Sequence, residues 1–196
     1  MKPYSESCDQ NRDPILAVIQ PLFSGCKHLL EIGSGTGQHA VYFAQQMPHL
    51  IWHTSDRKEN HQGISMWLND VELPNTRQPL ALDVSHDHWP QQQFDAVFSA
   101  NSVHIMSWQD VQAMFAGIGR VLKEGGAFAL YGPFNYNGEF TSESNARFDL
   151  WLKDRDPFSG VRDFEALNQL AMQAGMQLLN DDEMPANNRI LSWIRE

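Results

Sequence analysis

Cysteine is nearly missing from this chain. Of 196 residues only Cys8 and Cys26 carry thiols. Two are too few for a disulfide framework, a four-thiolate zinc site or the three-cysteine cradle of a radical iron–sulfur enzyme. Basic residues are short as well: 14 Lys and Arg stand against 24 Asp and Glu, a formal net charge of −10. Nucleic-acid binders neutralise phosphates with a basic face, and this mean field repels them. No run of Lys and Arg marks a local exception, so nucleic acid is not an expected partner. No apolar run approaches the roughly 18 residues of a membrane span. The polar start MKPYSESCDQNRDP lacks the apolar centre of a signal peptide. A cytoplasmic location without membrane contact is the expectation. His86 and His88, in HDH, have no carboxylate or cysteine cluster at ligand spacing, so no metal is expected.

What is present is an ordinary folding composition, 42% hydrophobic and 19% charged, at a length that suits one domain spanning 1–196. From Lys27 to Phe134 strand-like and helix-like segments alternate. HLLEIG, LIWHTSD, PLALDV, FDAVFSAN and AFALYGPF read as five strands. QHAVYFAQQM, NHQGISMWLNDV and SWQDVQAMFAGIGRVLKEGG read as helices between them, the last with Ser107 as N-cap and Gly125 as its stop. Short apolar strands separated by helices imply a parallel sheet covered on both faces. After a helix in GVRDFEALNQLAMQAG, MQLLNDDEMP and NRILSWIRE form two strands with no helix between, which must pair antiparallel. The expected fold is α/β: a Rossmann-like, seven-stranded, mostly parallel sheet ending in an antiparallel hairpin. Residues 1–14 read as an N-terminal arm that could cap a site.

Gly33, Gly35 and Gly37, in EIGSGTGQHA, follow the first strand, where open parallel sheets bind ligands. Glycines there tolerate left-handed backbone and let a ligand approach closely. Backbone N–H groups at the start of the next helix are expected to face that ligand. A nucleotide P-loop needs a lysine and a Ser or Thr after its last glycine, and Gln38 and His39 stand there instead. The dinucleotide pattern G-x-G-x-x-G fails at Gln38, and the closing hairpin also disfavours a nicotinamide enzyme. The spacing G-x-G-x-G is that of S-adenosylmethionine sites, although a structural turn would also use it. Asp56 ends the second strand, where an acid can accept ribose hydroxyls. Asp83 ends the third, within reach of an adenine amine. Each could alternatively be a solvated strand-end acid.

These stretches, with LDVSHDHW, FDAVFSANSVHIMSW, YGPFNYNGEFTSESNARFD, EMPANN and the opening KPYSESCDQNRDPIL, resemble the methyltransferase-like family filed as domain of unknown function 938. The resemblance covers nearly the whole chain. It implies a class I methyltransferase fold with S-adenosylmethionine as cofactor, and it implies no substrate. By that analogy Glu31, Gly33, Gly35 and Gly37 face the amino-acid end of the cofactor. Asp56 holds the ribose, Asp83 and Val84 the adenine, and Asn101 and Ser102 the methionine portion. Asn11 and Arg12 match the opening motif, and the arginine could clamp the cofactor carboxylate in a two-pronged contact.

Methyl transfer needs positioning of the nucleophile and removal of its proton. His104, past the fourth strand, is the first candidate base, with a backbone-bonded core histidine as the plain alternative. The loop after the fifth strand offers Tyr131, Phe134, Asn135, Tyr136 and Phe140 to wall an aromatic or apolar acceptor. Tyr136 is the second catalytic candidate. Glu183, Asn187 and Asn188 could reach the same mouth or form a polar turn. The loop SANSVH lacks the Asn/Asp-Pro-Pro-aromatic pattern of amino-methylating DNA enzymes. The expectation is a methyltransferase acting on a small molecule, the alternative a non-catalytic binding module for the same cofactor.

Overall fold

A computed structural model describes residues 1–196. Its centre is built from the apolar runs: β1 (His28–Glu31), β4 (Phe94–Ala100) and β5 (Leu122–Gly132) are buried along most of their length. Such strands need cover on both faces. With β2 (Ile51–Asp56), β3 (Thr76–Ala81), β8 (Met176–Met184) and β9 (Asn188–Arg195) they form one sheet ordered β3-β2-β1-β4-β5-β9-β8. The first five strands run parallel, and β9 inserts antiparallel between β5 and β8. A separate two-stranded sheet pairs β6 (Phe134–Asn135) with β7 (Arg162–Asp163).

Two apolar layers sandwich the large sheet. One lies under α4 (Trp108–Val121) and α6 (Phe164–Gln173), where Phe128 stacks on Trp193 and Phe115 meets both edge-on. The other lies under α1 (Glu6–Leu22), α2 (Gln38–Gln46) and α3 (His61–Val71), around Phe43, Trp52 and Phe98. Ser107 caps α4 as its position predicts, accepting from the Asp110 N–H.

Four elements depart from the sequence reading. α4 ends at Val121, and Gly125, expected as its stop, lies inside β5, which begins at Leu122. The arm is mostly helix: α1 begins at Glu6 and continues past residue 14, with Pro14 and Pro21 inside it. Prolines read as breakers, but Ile15 and Ile19 anchor this helix in the core. The supposed polar loop beyond Phe140 becomes α5 (Glu143–Arg155), capped by Ser142 through the Asn145 N–H. Its apolar residues form no clean stripe, so periodicity gave no signal. Finally β3 ends at Ala81, leaving Asp83 in the turn beyond it.

Candidate functional site

The carboxyl ends of β1, β2 and β4 open into a cavity of about 340 Å³ lined by Gly33, Gly35, Asp56, Asp83, Val84, Asn101 and Ser102 among others. Gly33 and Gly35 hold left-handed backbone, φ 72° and 58°. A Cβ on Gly35 would meet no protein atom within 4 Å, so the glycine leaves open space at the wall. Three donors of this turn are spent internally. Gly33 and Ser34 N–H both donate to the Ser55 carbonyl, at 3.1 and 3.0 Å, and Gly35 N–H donates to Asp56 Oδ2 at 2.8 Å. Those three N–H groups are closed to a ligand, and the turn offers it space beside the Asp56 carboxylate.

Asp56 has a double task. Its Oδ1 accepts from Arg57 N–H and Asn60 Nδ2, both at 2.8 Å, while Oδ2 braces Gly35. About one of its four lone-pair sites remains for a ligand. Asp83 accepts from the Ser85 N–H and from His86 Nδ1 at 3.0 Å. That histidine contact holds its carboxyl below the usual range and raises the His86 pKa in return. Asp110 adds a third carboxylate, against the one guanidinium of Arg57, which pairs with Glu59. The cavity is acidic.

Four of the expected cofactor contacts lie elsewhere. Glu31 is fully buried beneath the turn, its Oε2 accepting from Trp52 Nε1 and Ser34 Oγ at 2.9 and 2.8 Å. Burial outweighs those two bonds and pushes its pKa up to about 7. Gly37 is a packing residue: a Cβ there would stand 3.1 Å from Ile64 Cα. Arg12 pairs with Asp9 at 2.9 Å, lies over the Tyr42 ring and lines no cavity described here. Asn11 is directed to His39, whose Nε2 donates to its Oδ1 at 2.7 Å. His39 itself lines the acidic cavity and is kept uncharged by burial, its pKa lowered to about 4. Sequence reasoning passed it over because a histidine at the second position of an apolar helix looks like core.

A second cavity, about 790 Å³, shares Ser7, Asn101 and Ile105 with the first. Asn101 stands between the two in left-handed backbone, φ 54°, fixed by its N–H bond to the Tyr131 carbonyl. His104 lines this second space with its Nδ1 buried and unpartnered. Desolvation, helped by the Arg162 charge, brings its pKa down to about 4. Asn11, Tyr131 and Asn188 reach the same cavity, as do Phe148 and Trp151 from α5. The other expected wall residues do not. Phe134 is core, Phe140 faces solvent, and Asn135, Glu183 and Asn187 lie outside. Tyr136 is also removed from the site. Its hydroxyl donates to Asp181 at 2.8 Å, its ring stacks on Phe164, and burial with that carboxylate raises its pKa. No three His, Cys, Asp or Glu side chains are grouped to hold a metal, and no helix is long and apolar enough to cross a membrane.

Comparison with known proteins follows this geometry. A family described as Protein of unknown function (DUF938) matches residues 2–195. Among solved structures, an O-methyltransferase family protein from Burkholderia thailandensis is similar, with a TM-score of 0.83 at 13% identity over 94% of this chain and 56% of that one. The S-adenosylmethionine-dependent methyltransferase SibL, in its apo form, gives 0.81 at 21% identity over 96% and 55%. An O-methyltransferase family 2 protein from Planctomyces limnophilus DSM 3776, in complex with apigenin, gives 0.77 at 16% over 87% and 51%. This chain spans about half the length of these structures. At such identities the likeness establishes the fold, a Rossmann-like methyltransferase sheet with its antiparallel β5-β9-β8 edge.

Proposed function

The chain belongs to the DUF938 family, and from its fold and paired cavities we propose that it is an S-adenosylmethionine-dependent methyltransferase acting on a small molecule. The observation that carries this reading is the adjoining of an acidic, glycine-floored cavity and a larger cavity across Ser7, Asn101 and Ile105. The residues fit the cofactor. Three carboxylates favour a cationic ligand and repel phosphate, and about 340 Å³ falls within the range of small-ligand pockets. A binding module without catalysis has no need of the second space.

Asp56 would hold the ribose through its remaining lone-pair site, and Asp83 with Val84 would meet the adenine. Asn101 and Ser102 would border the methionine portion. S-adenosylmethionine, when bound, supplies a methyl group on a cationic sulfur. The chain's own contribution is to position the acceptor and manage its proton. His104 is uncharged at neutral pH. Its unpartnered Nδ1 is buried, so it takes the acceptor's proton only where the bound acceptor reaches it as the new bond forms, which makes orientation the larger part of its work.

Calorimetric titration with S-adenosylhomocysteine and with NAD tests the reading. Binding of the first and indifference to the second is expected. Tight NAD binding with no response to S-adenosylhomocysteine would overturn it. Incubation with labelled methyl donor and a metabolite extract then separates enzyme from module: labelled product above the level of an Asp56→Ala variant supports catalysis.

A further inference from the structure

The walls of the second cavity carry no Asp, Glu, Lys or Arg. In a chain of net charge −10 that is a property of the site. The charges nearest to it are engaged elsewhere. Arg12 pairs with Asp9, Lys153 with Asp149 and Arg189 with Asp181. Arg162 donates to the carbonyls of Val103, Met106 and Phe158. Arg155 stacks on the ring of Trp151, 4.5 Å from its centre, which puts a cation beside one wall residue.

What the walls do carry is neutral polarity and flat apolar surface. Gln10, Asn11, Asn101, Asn145 and Asn188 contribute amides without net charge. Nδ2 of Asn145 and of Asn188 is bonded within the protein, while their Oδ1 atoms, Asn11 Nδ2 and the Asn101 amide remain to offer. Pro14 removes an N–H from α1 and so releases the Gln10 carbonyl from the helix ladder, and both residues line the cavity. Phe148 lies edge-on to His104 and stacks within 16° on Trp151. Trp151 and Ile105, both more than half exposed, form an apolar rim. An ion entering such a space loses water and gains no counter-ion, whereas a neutral polar group finds amide partners.

We propose that the second cavity receives an uncharged molecule with a flat ring and at least one hydroxyl or amide group, and rejects carboxylates, phosphates and ammonium groups. Calling that molecule the methyl acceptor rests on the methyltransferase reading; the selection by charge rests on the walls alone.

2-Naphthol, 2-naphthoate and 2-naphthylmethylammonium share one ring system and differ in charge. Calorimetry on the full chain at neutral pH should show 2-naphthol binding at least about tenfold tighter than either ion. Trp151→Ala should weaken 2-naphthol about fivefold, while Phe158→Ala, exposed and outside both cavities, leaves it unchanged. Naphthoate binding as tightly as naphthol overturns the proposal, and its loss in Arg155→Gln would assign the cavity to an anion instead. Equal responses of the two aromatic variants would place the probe elsewhere on the surface and also overturn it. S-Adenosylhomocysteine titrated into the same samples separates the two readings. Its binding without charge selection removes this inference alone; charge selection without its binding removes the methyltransferase assignment alone.

Discussion

The two cavities meet at Asn101 yet are built on opposite principles. The first is acidic, and its glycine turn and Asp56 lie within 24 residues of one another, Gly33 to Asp56, tied together by the Gly35–Asp56 hydrogen bond. The second is free of charged side chains and draws its walls from α1, β5, α5 and the start of β9, which are far apart in the chain. The contrast teaches a division of labour. On the proposed reading, a cationic ligand would be recognised by fixed carboxylates on a strand-end frame, and the acceptor side would be left to shape and neutral hydrogen bonds. The sharpest way to break this comparison is a change that silences one cavity and spares the other.

His104→Gln should do so with the largest effect. Turnover is expected to fall about a hundredfold or more, while S-adenosylhomocysteine affinity stays within twofold, because His104 lines only the second cavity. Steady-state kinetics beside calorimetry reads both. Unchanged turnover would remove the histidine from the mechanism. The mirror experiment is Asp56→Ala. It strips the brace from the Gly35 N–H and a carboxylate from the first cavity. Cofactor-product affinity should drop about ten- to a hundredfold, with 2-naphthol binding retained. If both ligands are lost together, the cavities are not independent.

The same contrast decides what could be seen in the sequence. The mostly parallel sheet with its closing hairpin and the first cavity were legible because each depends on local pattern: apolar strands, glycine spacing and acids at strand ends. Asp56 and Gly33 stand where that pattern puts them. Legibility failed where a residue type has two uses. Glu31 and Gly37 look like ligand residues in the motif, but one closes a buried hydrogen-bond set and the other admits the α3 backbone. The second cavity was mostly invisible. Pro14 and Pro21 disguised α1, and α5 places Phe148 and Trp151 at the site without an amphipathic stripe. No local rule joins residues 11, 104, 148 and 188.

Gly37→Ala sharpens the boundary between site and scaffold. At φ 92° an alanine is strained, and its Cβ would press on the Ile64 backbone. Stability should fall by about 2 kcal/mol in urea unfolding, while the folded fraction binds S-adenosylhomocysteine normally. A loss of affinity without a loss of stability would return Gly37 to the binding site.

Acid sets a further test, because each cavity keeps a histidine uncharged. Burial lowers His39, on the first cavity, and His104, on the second, from 6.5 to about 4, and His53 in β2 likewise. Between those values the unfolded chain binds protons that the folded chain refuses, so these groups make stability fall as pH drops from about 6.5 to about 4. Glu31 works oppositely. Its raised pKa means the fold holds a proton the unfolded chain has lost, which adds stability as pH falls from about 7 towards 4.5. Three histidines act against Glu31 and the exposed His86, whose pKa the Asp83 contact raises, and the expected net effect is a loss, seen as a falling Tm. His104→Gln should flatten that slope, and an unaltered slope would show that this cavity tolerates a charge.

The smallest effect belongs to Tyr136→Phe. The tyrosine hydroxyl serves Asp181, which also receives Arg189 at 2.8 Å, on the far side of β9 from the sheet centre. Removing it takes one hydrogen bond from a carboxylate that keeps its guanidinium partner, a loss of about 1 kcal/mol. Turnover should change less than twofold, since the hydroxyl touches neither cavity. A tenfold fall in turnover with intact stability would mean that the segment after β5 swings Tyr136 into the acceptor space, beside the His104 and Tyr131 that already line it.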